Sequence, residues 1–209
     1  MGILQKIKRK IFQINFERKE VQIDKKIGGL ALNKRLETKH QSEGAKDTQS
    51  TDYRLLGPIF EKVVLTSKDK FVDVGCGQGR VLSYLLTEKD FKGELVGIEL
   101  STEVAVFTKK RFDGYSQVEI INKNAVESIP ADGSVFYLFN PFDGTVLKAF
   151  LDSFEKTVKN QAILIYAVPV HHTEFDGREK FSLVETFAVK REFMEYDAQI
   201  AIYKFDPQL

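Results

Sequence analysis

The stretch Phe71-Val72-Asp73-Val74-Gly75-Cys76-Gly77-Gln78-Gly79-Arg80-Val81-Leu82 constrains the fold more than any other part of this 209-residue chain. Phe71, Val72 and Val74 suit a short, fully buried strand. Gly75, Gly77 and Gly79 follow at alternate positions, where a backbone without Cβ atoms can turn tightly and approach a ligand closely. Arg80 to Lys89 then sets Val81, Leu82, Leu85 and Leu86 along one side of a helix. A strand, a glycine turn and a helix N-terminus in this order form a nucleotide-sized cradle in an open α/β sheet.

The spacing narrows the choice of ligand. A dinucleotide fingerprint has Gly or Ala three places after its second glycine, where this chain has Arg80, and a phosphate-binding P-loop ends in Gly-Lys-Ser/Thr, which the turn lacks. NAD, FAD and nucleoside triphosphates are therefore disfavoured. Asp73-Val74-Gly75-Cys76-Gly77-Gln78-Gly79 instead resembles motif I of the class I S-adenosylmethionine-dependent methyltransferases. That resemblance implies that Gly75, Cys76, Gly77 and Gly79 hold the methionine end of the cofactor, with Asp73 near its ammonium group directly or through water.

Three further positions follow in chain order. A strand over Leu95–Ile98 ends at Glu99, 24 residues past Gly75, where an acid at a strand tip reaches a ribose; a carboxylate accepts from both ribose hydroxyls. Leu100 adjoins it. After a strand at Val118–Ile121, the resemblance puts Asn124 and Ala125 beside adenine, with Asn124 in place of the usual acid and its amide oxygen able to accept from N6. A strand at Val135–Phe139 delivers Asn140-Pro141-Phe142, which resembles motif IV, the position beside the transferable methyl group. Amino-methylating branches read Asp/Asn-Pro-Pro-Tyr/Phe there; this chain keeps the Asn and the aromatic with one proline. Without the resemblance, Asn140-Pro141 also reads as a turn that ends a strand. Tyr53, just before the first strand, is the remaining cofactor contact that the resemblance implies.

The other elements complete the frame. A helix from Tyr53 to Val64, capped by Thr51 or Ser50, should bend or restart at Gly57-Pro58. Ser101 or Thr102 starts a helix whose last turn holds Lys109, Lys110 and Arg111, and Thr145 to Asn160 forms another. A fifth strand at Ala162–Tyr166 leads to His171 and His172, which lack a third ligand at metal spacing, so no metal is expected. Phe181–Val189 and Gln199–Phe205 alternate as a closing hairpin. The sum is an α/β fold with a doubly wound, mostly parallel seven-stranded sheet, an antiparallel C-terminal edge and a helical N-terminal extension. Residues 1–50 form the basic extension and loop, and residues 51–209 the cofactor-binding domain.

Charge separates the two parts. Residues 1–40 carry eleven Lys and Arg against four acids, net +7, while residues 41–209 carry 20 against 26, net −6. Ile3, Leu4, Ile7, Ile11 and Ile14 fall at helical spacing between Lys6, Lys8, Arg9 and Lys10, and packing of this stripe on the domain is preferred over contact with a membrane surface, since no Trp belt or lipidation signal accompanies it. A weak second helix involves Leu30, Leu32 and Leu36 after a Gly28-Gly29 break, and Gln41–Asp52 reads as a loop that closes over ligand. The longest apolar run, Ala162–Val170, is too short to span a bilayer, and a lone Cys76 fits a reducing cytoplasm.

The expected activity is methyl transfer from S-adenosylmethionine to an amine or other nitrogen acceptor, a small molecule or a protein side chain ahead of nucleic acid. Asn140 would orient the acceptor, Phe142 and Tyr166 would wall the site, and solvent or His171 would take the proton. Two alternatives stand beside it: a protein-lysine methyltransferase, whose motif I is similar, and a non-enzymatic S-adenosylmethionine-binding module, suggested by the single proline and by Asn124.

Overall fold

The run around Phe71 does form a strand, β1 (Lys70–Val74), and it occupies the middle of the sheet. The computed structural model describes residues 3–32, 37, 42, 44, 49–194 and 196–209. Leu36 and half of the loop expected over Gln41–Asp52 lie outside those residues, and Leu30 and Leu32, expected in a second helix, are not helical. Strands β2 (Glu94–Glu99), β3 (Val118–Asn122), β4 (Val135–Phe139), β5 (Ala162–Ala167), β6 (Phe181–Val189) and β7 (Ala198–Phe205) complete a seven-stranded sheet in the order β3-β2-β1-β4-β5-β7-β6. The first five are parallel; β7 runs antiparallel beside β5, and β6 pairs with β7 at the edge. The order reverses between β1 and β4, and a crevice opens at such a point beyond the strand C-termini.

Alternate residues of the central strands feed separate cores. Phe71, Val135 and Tyr137 pack with α2 (Tyr53–Lys62) and α3 (Arg80–Glu88) on one face of the sheet. Val72, Val74, Phe136 and Leu138 pack on the other with Leu147, Phe150, Leu151 and Phe154 of α5 (Gly144–Thr157). The remaining long helix of this part, α4 (Thr102–Arg111), is capped by Ser101 as its sequence suggests.

One local expectation is overturned, and at Pro58 a restart of the helix is excluded. Asp52, not Thr51 or Ser50, caps α2, its carboxylate accepting from the Arg54 amide. The helix also continues through Pro58. Pro58 forfeits one backbone hydrogen bond, yet Leu55, Leu56, Ile59 and Phe60 are all buried, and tertiary packing rather than propensity decides whether so short a helix persists.

The N-terminal helix α1 (Ile3–Asp24) is longer than its apolar spacing suggests, and a different face packs. Phe12 meets Phe193 at 5.1 Å between ring centroids, Phe16 lies under the Arg54 guanidinium at 4.3 Å, and Ile23 joins the first core. Ile3, Leu4, Ile7, Ile11 and Ile14 are 40–80% exposed, so the stripe expected to lie on the domain faces outward. The face that wins carries larger rings and, at its C-terminal end, two carboxylates with buried cationic partners.

Candidate active site

The C-terminal ends of β1, β2 and β4 open into one cleft of about 810 Å³, a size common for small-molecule sites. Asp73, Gly75, Cys76, Gly77, Glu99, Leu100, Asn124, Ala125, Asn140, Pro141 and Phe142 all line it. Gly79 and Tyr53 do not.

Gly79 is needed for packing rather than for ligand. It adopts φ +78° as the cap of α3, and a Cβ there would come within 2.5 Å of the Phe112 ring. Gly75 has φ +76°, and its Cβ would meet Pro141 at 2.9 Å, so the glycine turn and the Asn140-Pro141 turn approach as only a glycine allows. Gly97 serves the turn from below, because a Cβ there would strike Cys76 Sγ at 2.7 Å.

The backbone amides of the turn are bonded inside the protein. Gly75 N and Cys76 N both donate to Ile98 O, Gly79 N donates to Cys76 O, and Gly77 N donates to Glu99 Oε2 at 3.0 Å. A phosphate cradle works through amides aimed at the ligand. Here the Gly75, Cys76, Gly77 and Gly79 amides are bonded within the protein, to β2 and to the turn itself.

The side chains facing the cleft are rich in acceptors. Glu99 is fixed by the Gly77 amide and, through Oε1, by the Ser101 amide at 2.8 Å. Asp73 is buried, and desolvation together with the Glu99 charge pushes its carboxyl up to about 8. No cation of the chain offsets that rise among the described residues. Gln78 Oε1 is buried without a hydrogen-bond partner on the same wall. Two carboxylates and an orphaned carbonyl ask for a ligand bearing hydroxyls and a positive charge. The ammonium, the sulfonium and the ribose diol of S-adenosylmethionine fit that set.

Asn140 follows β4 at φ +43° and Val168 follows β5 at φ +53°; both line the cleft. Asn tolerates this region, but for a β-branched Val it is an outlier, and such strain gathers at binding sites. The Tyr166 hydroxyl donates to Asn140 Oδ1 at 3.0 Å and accepts from the His171 amide at 3.4 Å. Burial raises the Tyr166 phenol, which keeps it a donor. Tyr166 therefore lies behind Asn140 rather than on the cleft wall, and the His171 side chain is not among the lining groups. Asn124 differs from expectation too: its Oδ1 accepts from the Val126 amide at 2.9 Å, a local turn, so that oxygen already has a donor.

Tyr53 departs furthest from its expected place. Its hydroxyl donates to Asp24 Oδ1 at 2.8 Å and its ring lies against the Arg80 guanidinium at 4.8 Å. Arg80 in turn grips Asp24 through Nε at 3.0 Å and Nη2 at 2.7 Å, and reaches Glu20 and Thr51 O through Nη1, both at 3.2 Å. Arg111 donates to Asp24 O at 2.6 Å. Arg80 and Thr51 line the cleft where Tyr53 was expected. Gln78, Lys123 and Asp143 are also lining residues that the sequence reading gave no role; Gln78 stood inside the motif, where a polar side chain between two glycines was the available signal.

No protein-family model and no curated protein sequence matches the chain. Solved structures do match in fold. The Bacillus subtilis M1A22 tRNA methyltransferase TrmK superposes with a TM-score of 0.61 at 13% identity, over 75% of this chain and 67% of that one. An RNA methyltransferase from Salinibacter ruber in complex with S-adenosyl-L-homocysteine gives 0.58 at 14%, over 75% and 93%. The mitomycin 7-O-methyltransferase MmcR gives 0.53 at 14%, over 68% and 50%. The chain has the seven-stranded fold of the class I S-adenosylmethionine-dependent methyltransferases. These structures include RNA methyltransferases and a small-molecule O-methyltransferase, so the fold leaves the acceptor open.

Proposed function

We propose that the protein is an S-adenosylmethionine-dependent methyltransferase acting on an amine or other nitrogen acceptor. The observation that supports this reading is the pairing of Asp73 and Glu99 at the C-terminal ends of adjacent strands, in a cleft where the Gly75, Cys76, Gly77 and Gly79 amides are already bonded and Asn140-Pro141 adjoins the glycine turn. Asp73 would face the ammonium, Glu99 and Leu100 the ribose, and Ala125 with Asn124 the adenine. Asn140 and the backbone carbonyl of Pro141 would receive the hydrogens of the acceptor amine, and Phe142 would pack beside it.

S-adenosylmethionine, when bound, supplies a methyl group already activated on a sulfonium, so the protein has chiefly to align and desolvate the acceptor. The Tyr166 hydroxyl holds the Asn140 carboxamide in one orientation and takes up one of the two acceptor positions of Oδ1, leaving the other for an incoming N–H. With the His171 side chain outside the lining, the departing proton would pass to solvent.

Isothermal titration with S-adenosylhomocysteine is the direct test. Saturable binding is the expected result, and no heat at cofactor concentrations into the millimolar range overturns the reading. Asn140→Ala should keep that binding and lose methyl transfer to amines in a radiolabelled acceptor screen.

A further inference from the structure

Helix α1 has two apolar faces, and the domain uses one of them. Phe12, Phe16, Glu20, Ile23 and Asp24 lie against the domain, through the Phe193 ring, the Arg54 guanidinium, the first core and Arg80. At 100° per residue, Ile3, Leu4, Ile7, Ile11 and Ile14 cluster on the opposite side. They are 80%, 69%, 49%, 55% and 40% exposed, and no described residue covers them. Large aliphatic side chains gathered in one exposed stripe mark an interaction surface, whereas scattered ones need no explanation.

Charge selects the occupant. Residues 1–16 contain Lys6, Lys8, Arg9 and Lys10 and no carboxylate. By helical phase Lys6 and Lys10 flank the stripe on one side and Lys8 on the other, and none of the three has an ion-pair partner among the described residues. A second copy of the helix would bring three more lysines to the same seam, with no carboxylate beside the stripe over residues 1–16. An anionic lipid surface does the reverse: the aliphatic side chains enter the acyl boundary while lysines extend along their stems to the headgroups. Helix α1 is long enough at 22 residues but not apolar enough to cross a bilayer, which is consistent with a helix lying in the interface plane.

We propose that the outward face of α1, Ile3, Leu4, Ile7, Ile11 and Ile14 with Lys6, Lys8 and Lys10, docks the protein on anionic membrane surfaces. The docking is independent of methyl transfer, since the inner face alone holds α1 to the domain.

Co-sedimentation of the full chain with vesicles tests it. The protein should bind phosphatidylcholine vesicles containing about 30% phosphatidylglycerol, bind pure phosphatidylcholine at least about tenfold more weakly, and lose affinity as salt rises. Ile7→Asp with Ile11→Asp should reduce binding by about tenfold or more, and Lys6→Gln with Lys10→Gln by about fivefold for each lysine. Both double variants lie on the outward face, so their thermal unfolding and their S-adenosylhomocysteine titration should match the parent and separate this proposal from the cofactor reading. Absence of binding to anionic vesicles overturns the proposal, as does binding unchanged in the Ile7→Asp, Ile11→Asp variant. Light scattering that shows a dimer dissolved by that same variant overturns it too, because a second copy would then be what covers the face.

Discussion

Two pairs of buried or nearly buried carboxylates flank the glycine turn, and they differ in company. Glu20 and Asp24 are closed off by Arg80, with Tyr53 and Arg111 completing the ring. On the cleft side of the same turn, Glu99 accepts from two backbone amides, and burial first and the Glu99 charge second raise the Asp73 carboxyl. A satisfied acid pair is architecture. A buried carboxyl raised beside a cleft is a candidate for a ligand's positive charge, because burial and a neighbouring acid both disfavour its ionised form until a cation arrives.

The largest effect expected from this contrast is on stability. Arg80→Ala strands Glu20 and Asp24 in the interior and should cost about 3–5 kcal/mol in denaturant unfolding. A loss under about 1 kcal/mol would show that the first pair is less dependent on Arg80 than its geometry implies.

Asp73→Asn should act the other way on stability and strongly on binding. Asp73 holds its proton in the folded chain up to about pH 8, while the unfolded chain ionises near the ordinary value of about 4. Unfolding therefore releases a proton across that window, and the parent loses stability as pH rises from about 4 towards 8. The Asn variant escapes that loss, so its advantage should be absent below about pH 4 and greatest above about pH 8. Its affinity for S-adenosylhomocysteine should fall by about 10- to 100-fold, as expected for removing one charged hydrogen-bond partner.

A smaller effect follows from the same titration. An ammonium facing Asp73 lowers its pKa, so binding expels a proton and should tighten by up to about tenfold per pH unit between about pH 6 and about pH 7.5, below the ligand's own amine pKa. The Asp73→Asn variant should show a flat profile by the same titration. The smallest change is expected from Cys76→Ala, which keeps the backbone amide bonded into the turn and loses only the weak thiol bond to Gly77 O at 3.7 Å; affinity should stay within about twofold. A loss beyond about tenfold would mean that the thiol packed over Gly97 holds the turn in shape.

The central sheet was legible because its strands are short apolar runs bounded by glycine or Asp-Gly, and burial on both faces leaves few other ways to use Phe71–Val74 or Val135–Phe139. The cleft residues at strand ends were legible for the same reason: topology puts strand C-termini together once the strands are known. What the sequence hid were choices between equally good local options. Helix α1 offers two apolar faces, and periodicity cannot say which one meets the domain. Tyr53 was hidden because its partner, Asp24, is 29 residues away. Gly79 has the glycine its motif needs, but the cause is Phe112, 33 residues on, and a close approach of that kind leaves no local trace. Pro58 was read by its own propensity, which four buried neighbours override.

Arg80 also joins two parts of the chain in descent. Its replacement alone leaves Glu20 and Asp24 without their ion-pair partner, and replacement of Asp24 alone removes the acceptor of Tyr53, of the Leu32 amide and of two Arg80 hydrogen bonds. Buried ionic clusters tolerate wholesale exchange for apolar residues better than piecemeal loss. The first helix and the motif behind the glycine turn are therefore expected to drift as a set, with positions 20, 24 and 80 changing together, so that a variant or relative with an apolar residue at 80 should carry uncharged residues at 20 and 24.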